Sequence, residues 1–314
     1  MNGHTFSLVS KDDAGRPAET MAATRLLLSE NRPLVLAGYF GDRSMADLIG
    51  SGLLAKEKIA LVGYRVNEIR EEAPLVHNVR ANLRDELNKL VEHMATVGVS
   101  RVGLFYQDGP GAAALIVALE ELTKSKGINL TVKGSYAPGS AKVTGAVVDT
   151  FFAASPQAII MLSTGSATAA FIEKYRMEGG TANLFAHSGT DIEQLSQRLG
   201  AEQMKGVAIT QVTPNPYKVS AGLVKDFNDT VAKAPKLDVP VSYAMMEGFI
   251  AGAVIVEAAR RMGAKVSREG FVTALEGINS LDLGGYKVGY KPGMRSGSTF
   301  VALSIITATG SIRQ

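Results

Sequence analysis

The sequence predicts an α/β protein of two domains built on parallel sheets. Short β-branched runs alternate with amphipathic helical stretches, the signature of βαβ units. The chain has 314 residues, and at roughly 100–200 residues per domain that length holds two. Hydrophobic residues make up 46% and charged residues 20%, the balance of a globular protein with a real core.

The elements follow in order. A strand is expected at residues 5–9, where Phe6 and Leu8 alternate with Thr5 and Ser7, then a helix at 17–30 opened by Pro17. The apolar runs 34–39 and 59–63 read as strands, with a helix at 43–51 between them. In the helix expected at 83–97, Leu83, Leu87, Leu90, Val91 and Met94 recur at steps of three and four. That stripe faces a sheet, while Asp85, Glu86, Lys89 and Glu92 face water. Strands at 101–106, 130–134, 158–162, 184–187 and 206–211 alternate with helices at 111–126, 143–154, 168–178 and 191–199. The rhythm then breaks. Pro214 and Pro216 forbid helix and central strand alike and mark a crossing segment. Helices at 219–232, 241–262 and 267–275 follow, and strand character returns at 285–288 and 299–307.

Composition excludes several functions. A net charge of +3, with basic residues scattered among acids, gives no nucleic-acid footprint. Aromatics are 6% and tryptophan is absent, so a stacking platform has little material. With no cysteine there is no disulfide, thiolate metal site or thiol nucleophile. His4, His77, His93 and His187 do not pair at metal-ligand spacing, so no metal and no cofactor are expected. No apolar run reaches the roughly 18–20 residues of a membrane span, and Met1-Asn-Gly-His lacks the basic-then-apolar pattern of a leader.

Two motifs imitate catalysis. Gly109, Gly111 and Ala114 have dinucleotide-fingerprint spacing between strand and helix, but the next strand ends without the acidic residue that takes a ribose hydroxyl. Ser188 sits at a strand-to-helix turn like a hydrolase nucleophile, yet no histidine follows it in the chain, and His187 points to the opposite face if the strand extends to it. No enzyme is expected.

Ligands of open α/β sheets sit beyond the carboxyl ends of the strands. The loops there carry Asp42, Arg43 and Ser44, then Tyr64 and Arg65, Gln107 and Asp108, Ser163 and Ser166, and Ser188. Hydroxyls and free backbone N–H groups at helix starts suit a carboxylate. Asp42, Asp108 or Asp191 suits an ammonium group. The plain alternative is that these residues are N-caps.

The segment Asn2-Gly-His-Thr-Phe-Ser-Leu-Val-Ser-Lys-Asp-Asp-Ala-Gly-Arg-Pro resembles the opening of branched-chain amino-acid substrate-binding proteins, the extracytoplasmic receptors of ABC importers. Collinear matches include Asn78-Val-Arg-Ala, Phe105-Tyr-Gln, Gln211-Val-Thr-Pro-Asn-Pro, Glu247-Gly-Phe-Ile-Ala and Leu283-Gly-Gly-Tyr, and they span the chain. The resemblance implies the type I periplasmic-binding fold: two Rossmann-like lobes joined by a three-segment hinge and closing on a solute in the cleft. Lobe 1 would be residues 1–82 with 214–297, and lobe 2 residues 83–213 with 298–314. The chain would cross near Ala81, Thr213 and Ser298. A periplasmic location, a small-molecule ligand (an amino acid or organic acid) and a membrane permease as partner are implied too. An amino-acid or amide sensor with the same fold is the alternative.

Three departures from that family matter. Its members begin one strand and one helix earlier, so lobe 1 is expected to show an exposed edge or an unfilled groove. Where they carry small hydroxyl residues this chain reads Asp42-Arg43-Ser44, and where they cradle an α-carboxylate it reads Val66-Asn67 beside Arg65. Two cleft aromatics are replaced, near Pro110 and by Gly165. Arg43 and Arg65 therefore point to a more acidic ligand or, equally, to a pocket that no longer binds, unless Arg43 pairs with Asp42 or Asp47 and Arg65 with Glu68.

Overall fold

A computed structural model describes residues 5–66, 73–109, 111–219, 222–307 and 309–314, which fall into two compact units. The first begins with an extended segment in which Phe6, Leu8 and Val9 are exposed. The expected strand at 5–9 does not form. Alternation provides a strand's two faces, but a strand also needs a hydrogen-bonding neighbour, and no described strand lies against it. Helix α1 (Pro17–Leu26) widens into a π turn, Leu27–Asn31, ended by Arg32 in the left-handed region before Pro33.

Strand β1 (Leu36–Phe40), helices α2 (Asp42–Gly50) and α3 (Leu53–Glu57), strand β2 (Leu61–Arg65) and the short β3 (Val76–His77) complete this part. The three strands form one parallel sheet in the order β1-β2-β3. Among the described residues β1 bonds only to β2, and Phe40 is 54% exposed. Leu28, Met45, Leu48, Leu54 and Leu61 fill the core beneath.

The chain passes into the second unit after Ala81. Asn82 caps α4 (Leu83–Thr96) in a reciprocal capping box with Asp85, satisfying two otherwise open backbone donors. Next come β4 (Arg101–Gln107), α5 (Ala112–Ser125), β5 (Asn129–Tyr136), α6 (Gly145–Ala154), β6 (Ala158–Leu162), α7 (Gly165–Met177), β7 (Asn183–Ala186), α8 (Ile192–Arg198), α9 (Ala201–Met204) and β8 (Ala208–Gln211). The α4 stripe is buried against the sheet as its spacing predicts, with one correction: Glu86, expected in water, is 1% exposed. On one face of the sheet Gly103 and Gly134 leave room for Phe151, since a Cβ at either would lie under 3 Å from its ring. Phe105 stacks on Phe171, and Phe151 meets Phe171 edge-on.

After Pro214 the chain returns to the first unit. There α10 (Leu223–Lys233), α11 (Tyr243–Met262), α12 (Arg268–Glu276) and the hairpin β9 (Leu281–Asp282) and β10 (Lys287–Val288) bury Phe227, Ile250, Phe271 and Tyr286 in one cluster. Past Phe300 it enters the second unit again as β11 (Ala302–Ile306) and β12 (Ile312–Arg313). The second sheet has seven strands in the order β12-β11-β8-β7-β6-β4-β5. It is parallel from β8 to β5, with β11 antiparallel to both its neighbours. The mixed α/β architecture with parallel sheets agrees with the class read from the sequence.

Candidate functional site

In the first unit Phe40 lies beside Arg65 in the β1–β2 register, and the Gly41 N–H donates to the Arg65 carbonyl at 2.9 Å. The five expected residues of this unit therefore gather at one end of β1 and β2. Asp42 opens α2 half-buried. Arg43 points to solvent and pairs with Asp47 at 2.8 Å, the local i,i+4 bridge. Ser44 is buried 2.9 Å from Thr20 Oγ1. The Thr20 hydroxyl donates to Asp13 at 2.6 Å, so Ser44 is the donor to Thr20. The Tyr64 backbone is held by the Asn78 side chain, whose Nδ2 donates to the Tyr64 carbonyl at 2.9 Å.

Arg65 has a partner far along the chain. Its Nη2 and Nε donate to Glu247 of α11 at 2.7 and 3.1 Å, a two-pronged bridge, and Arg80 Nη1 reaches the same carboxylate at 3.3 and 3.4 Å. All three are largely buried, with side-chain exposures of 17%, 12% and 6% for Arg65, Glu247 and Arg80. Burial pushes the Glu247 carboxyl up, but Arg80 and Arg65 outweigh it and hold it below the usual carboxylate range. Glu68, the expected local partner of Arg65, lies outside the described residues.

In the second unit the other five residues lie at the carboxyl ends of neighbouring strands. Gln107 ends β4, and its Oε1 accepts from the Tyr136 hydroxyl at 3.2 Å. The same Tyr136 oxygen accepts from the Thr164 N–H at 2.9 Å, so one phenol links the ends of β4, β5 and β6. Asp108 is exposed and accepts from the Gly109 N–H at 2.9 Å, shaping its own turn. Ser163 is fully buried, 2.6 Å from Thr168 Oγ1. Ser166 is exposed on the first turn of α7.

Ser188 is buried and bound twice to Glu86: its N–H donates at 2.8 Å and its hydroxyl at 2.9 Å. Thr210 of β8 donates to the same carboxylate at 2.5 Å. Glu86 thus ties the first turn of α4 to the ends of β7 and β8, which is why it is buried against its pattern. His187 Nδ1 accepts from the Gly189 N–H at 3.2 Å, which places the ring proton on Nε2, and Nε2 donates to the Ser163 carbonyl at 3.2 Å. The Ser188 hydroxyl is directed to Glu86 and His187 to a carbonyl, so the hydrolase-like pair is not a nucleophile and base. Pro110, inside the dinucleotide-like loop, lies outside the described residues.

Sequence reasoning missed Glu86, Arg80 and Glu247. Each is an acid or base whose partner is remote in sequence, and periodicity reports only which residues are apolar.

A family model described as periplasmic binding protein matches residues 1–299. A substrate-binding periplasmic protein from Ralstonia solanacearum is 32% identical over 99% of this chain and 88% of its own, with a TM-score of 0.91. A possible leucine/isoleucine/valine-binding protein from Rhodopirellula baltica SH 1 is 23% identical over 98% of this chain and 85% of its own (TM-score 0.85). A leucine binding protein from Thermotoga maritima MSB8 is 17% identical over 99% and 87% (TM-score 0.83), and at such identities the likeness is one of fold. No curated protein matches the chain.

Proposed function

The chain belongs to the periplasmic binding protein family, and from that premise we propose that it is the solute-binding receptor of an ABC importer, taking an amino acid or related small carboxylate. It binds without catalysis, works in the periplasm and delivers its solute to a membrane permease. One observation supports this above others. Adjacent parallel strands of the second unit end together on a polar rim of Gln107, Thr164, Ser166, the Ser188–Thr190 turn and Gln211. Strand ends of this kind are where open α/β sheets take small molecules. In the first unit, the buried guanidiniums of Arg65 and Arg80 at the end of β2 favour an acidic group over an apolar one.

The strand-end residues are proposed, each unit by itself, as solute-binding loops: Asp42, Arg43, Ser44, Tyr64 and Arg65 in the first unit, and Gln107, Asp108, Ser163, Ser166 and Ser188 in the second. Two roles follow from their bonds. Ser44, Ser163 and Ser188 are buried and hydrogen-bonded, so they shape the loops. Arg65, Tyr64, Gln107, Asp108 and Ser166 keep some exposure and face the solute.

A thermal-shift panel of succinate, L-glutamate, L-leucine and L-valine tests the reading. A ligand at one hundred times its Kd stabilises the folded state by ~2.7 kcal/mol. Succinate or glutamate is expected to shift the melting temperature by several degrees, and more than leucine or valine. Absence of any shift at millimolar concentrations would refute the reading. A larger shift with leucine, preserved in Arg65→Ala, would replace the acidic ligand with an ordinary branched-chain one.

A further inference from the structure

Gln211 is the last residue of β8 and Thr213 follows two positions on; they are 3% and 1% exposed. Gln211 Nε2 and Thr213 Oγ1 are nevertheless without a hydrogen-bond partner among the described residues. The polar groups around them are satisfied. Thr210 and Ser188 donate to Glu86, and the Thr213 carbonyl accepts from Gln314 Nε2 at 3.4 Å. A buried donor that loses water and gains no acceptor leaves its desolvation cost unrecovered, so native structures keep few of them. Two within three residues call for an acceptor that the chain itself does not supply.

Their position says what kind of acceptor. β8 is the parallel strand beside β7, and its carboxyl end adjoins the Ser188–Thr190 turn. Thr210 points to the α4 side through its bond to Glu86, so Gln211, the next residue on the strand, points to the other. The amide and the hydroxyl are both neutral donors, which fit an oxygen bearing lone pairs.

We infer that Gln211 and Thr213 are ligand-binding residues whose donors complete their hydrogen bonds on an oxygen of the solute, a carboxylate oxygen in the acids proposed above. The inference rests on the receptor reading and adds residues to it. It also explains why a buried amide stands where an apolar side chain would pack without cost: the unmet donors are held ready, and binding satisfies them. A site built this way rejects analogues that lack the oxygen.

The near-isosteric variants Gln211→Met and Thr213→Val test it, with succinate and L-leucine titrated calorimetrically against each. Both variants should melt at or above the wild-type temperature without ligand, because an unsatisfied donor is gone. Each should bind the probe that the wild type binds at least tenfold more weakly. Unchanged affinity with a lowered melting temperature would mean that internal water satisfies these donors, and the inference would be wrong while the receptor reading stood. If neither probe binds the wild type, the carboxylate-receptor reading fails and this inference fails with it.

Discussion

Replacing Glu247 should be among the most damaging single changes in the first unit. It accepts from Arg65 at 2.7 and 3.1 Å and from Arg80 at 3.3 and 3.4 Å, and its side chain is 12% exposed. Removing one member of a buried ion pair typically costs about 3–5 kcal/mol, because the remaining charge stays buried. Glu247→Ala leaves two guanidiniums facing each other, so about 4 kcal/mol is expected. Arg65→Ala leaves Glu247 with the longer Arg80 contacts, and the partial exposure of Arg65 lowers the figure to about 3 kcal/mol. For a unit of this size one kcal/mol shifts the melting temperature by roughly 2–4 °C, so Arg65→Ala should melt about 6–12 °C early. Urea unfolding followed by circular dichroism measures both, and the double variant should fall short of the sum by about 0.5–3 kcal/mol. Acid gives a second reading. The Glu247 pKa is depressed in the folded state, so its contribution is complete above the ordinary carboxylate value of 4.5 and is lost as pH falls through the folded value. Glu247→Gln should remove that acid-dependent part. Losses under 1 kcal/mol for both single variants, or full additivity in the double, would refute the cluster's role.

In the second unit, Glu86→Gln places an amide NH2 among three donors and should cost about 2–3 kcal/mol of unfolding free energy in urea. His77 is held down to about 4 by burial and then by Arg295, whose Nη1 is 2.5 Å from Nε2, with Glu276 opposing at 3.7 Å. The unfolded chain takes up a proton near pH 6.5 and the folded one does not. Stability should therefore fall from about pH 6.5 to 4, by on the order of 3 kcal/mol, and His77→Phe should flatten that part of the profile. Gly222 has φ +69° and ψ −140°, and a Cβ there would lie 2.0 Å from the Gly284 carbonyl oxygen. Gly222→Ala should thus lose at least about 3 kcal/mol in the same assay.

The sequence made the helices and central strands legible because their signal is local. β6 is apolar at every position and matches its expected span of 158–162 residue for residue. The α4 stripe repeats at the helical period and caps itself within four residues. The segment at 5–9 has the same kind of local signal and still forms no strand, since pairing is a property of a neighbour. Glu86 looks like any other surface acid of α4, because its partners Ser188 and Thr210 lie 102 and 124 residues away. The Arg65–Glu247 bridge spans 182 residues, so for Arg65 the local alternative Glu68 is the visible one. For Arg43 the local choice, Asp47, is the one observed. The strand-end loops were recognisable as polar, but which of their hydroxyls would be bound internally depended on these remote partners.

The path of the chain has a consequence for how it is made. The first unit draws on residues before Ala81 and after Asn215, and the second recovers its strand β11 only past Phe300. As the chain leaves the ribosome, the early strands β1 to β3 must wait for residues 82–214 of the second unit to emerge before α11 brings Ile250 and Glu247, and α12 brings Phe271, to them. The second sheet in turn keeps β8 as a bare edge until the last residues arrive to pair Ala302 with Gln211. Contacts of such long separation form slowly, and an unfilled edge invites pairing with another chain. A nascent chain stalled between β8 and α12 therefore carries two incomplete units at once. The stretch most in need of a holding chaperone is the interval between the synthesis of β8 and that of β11.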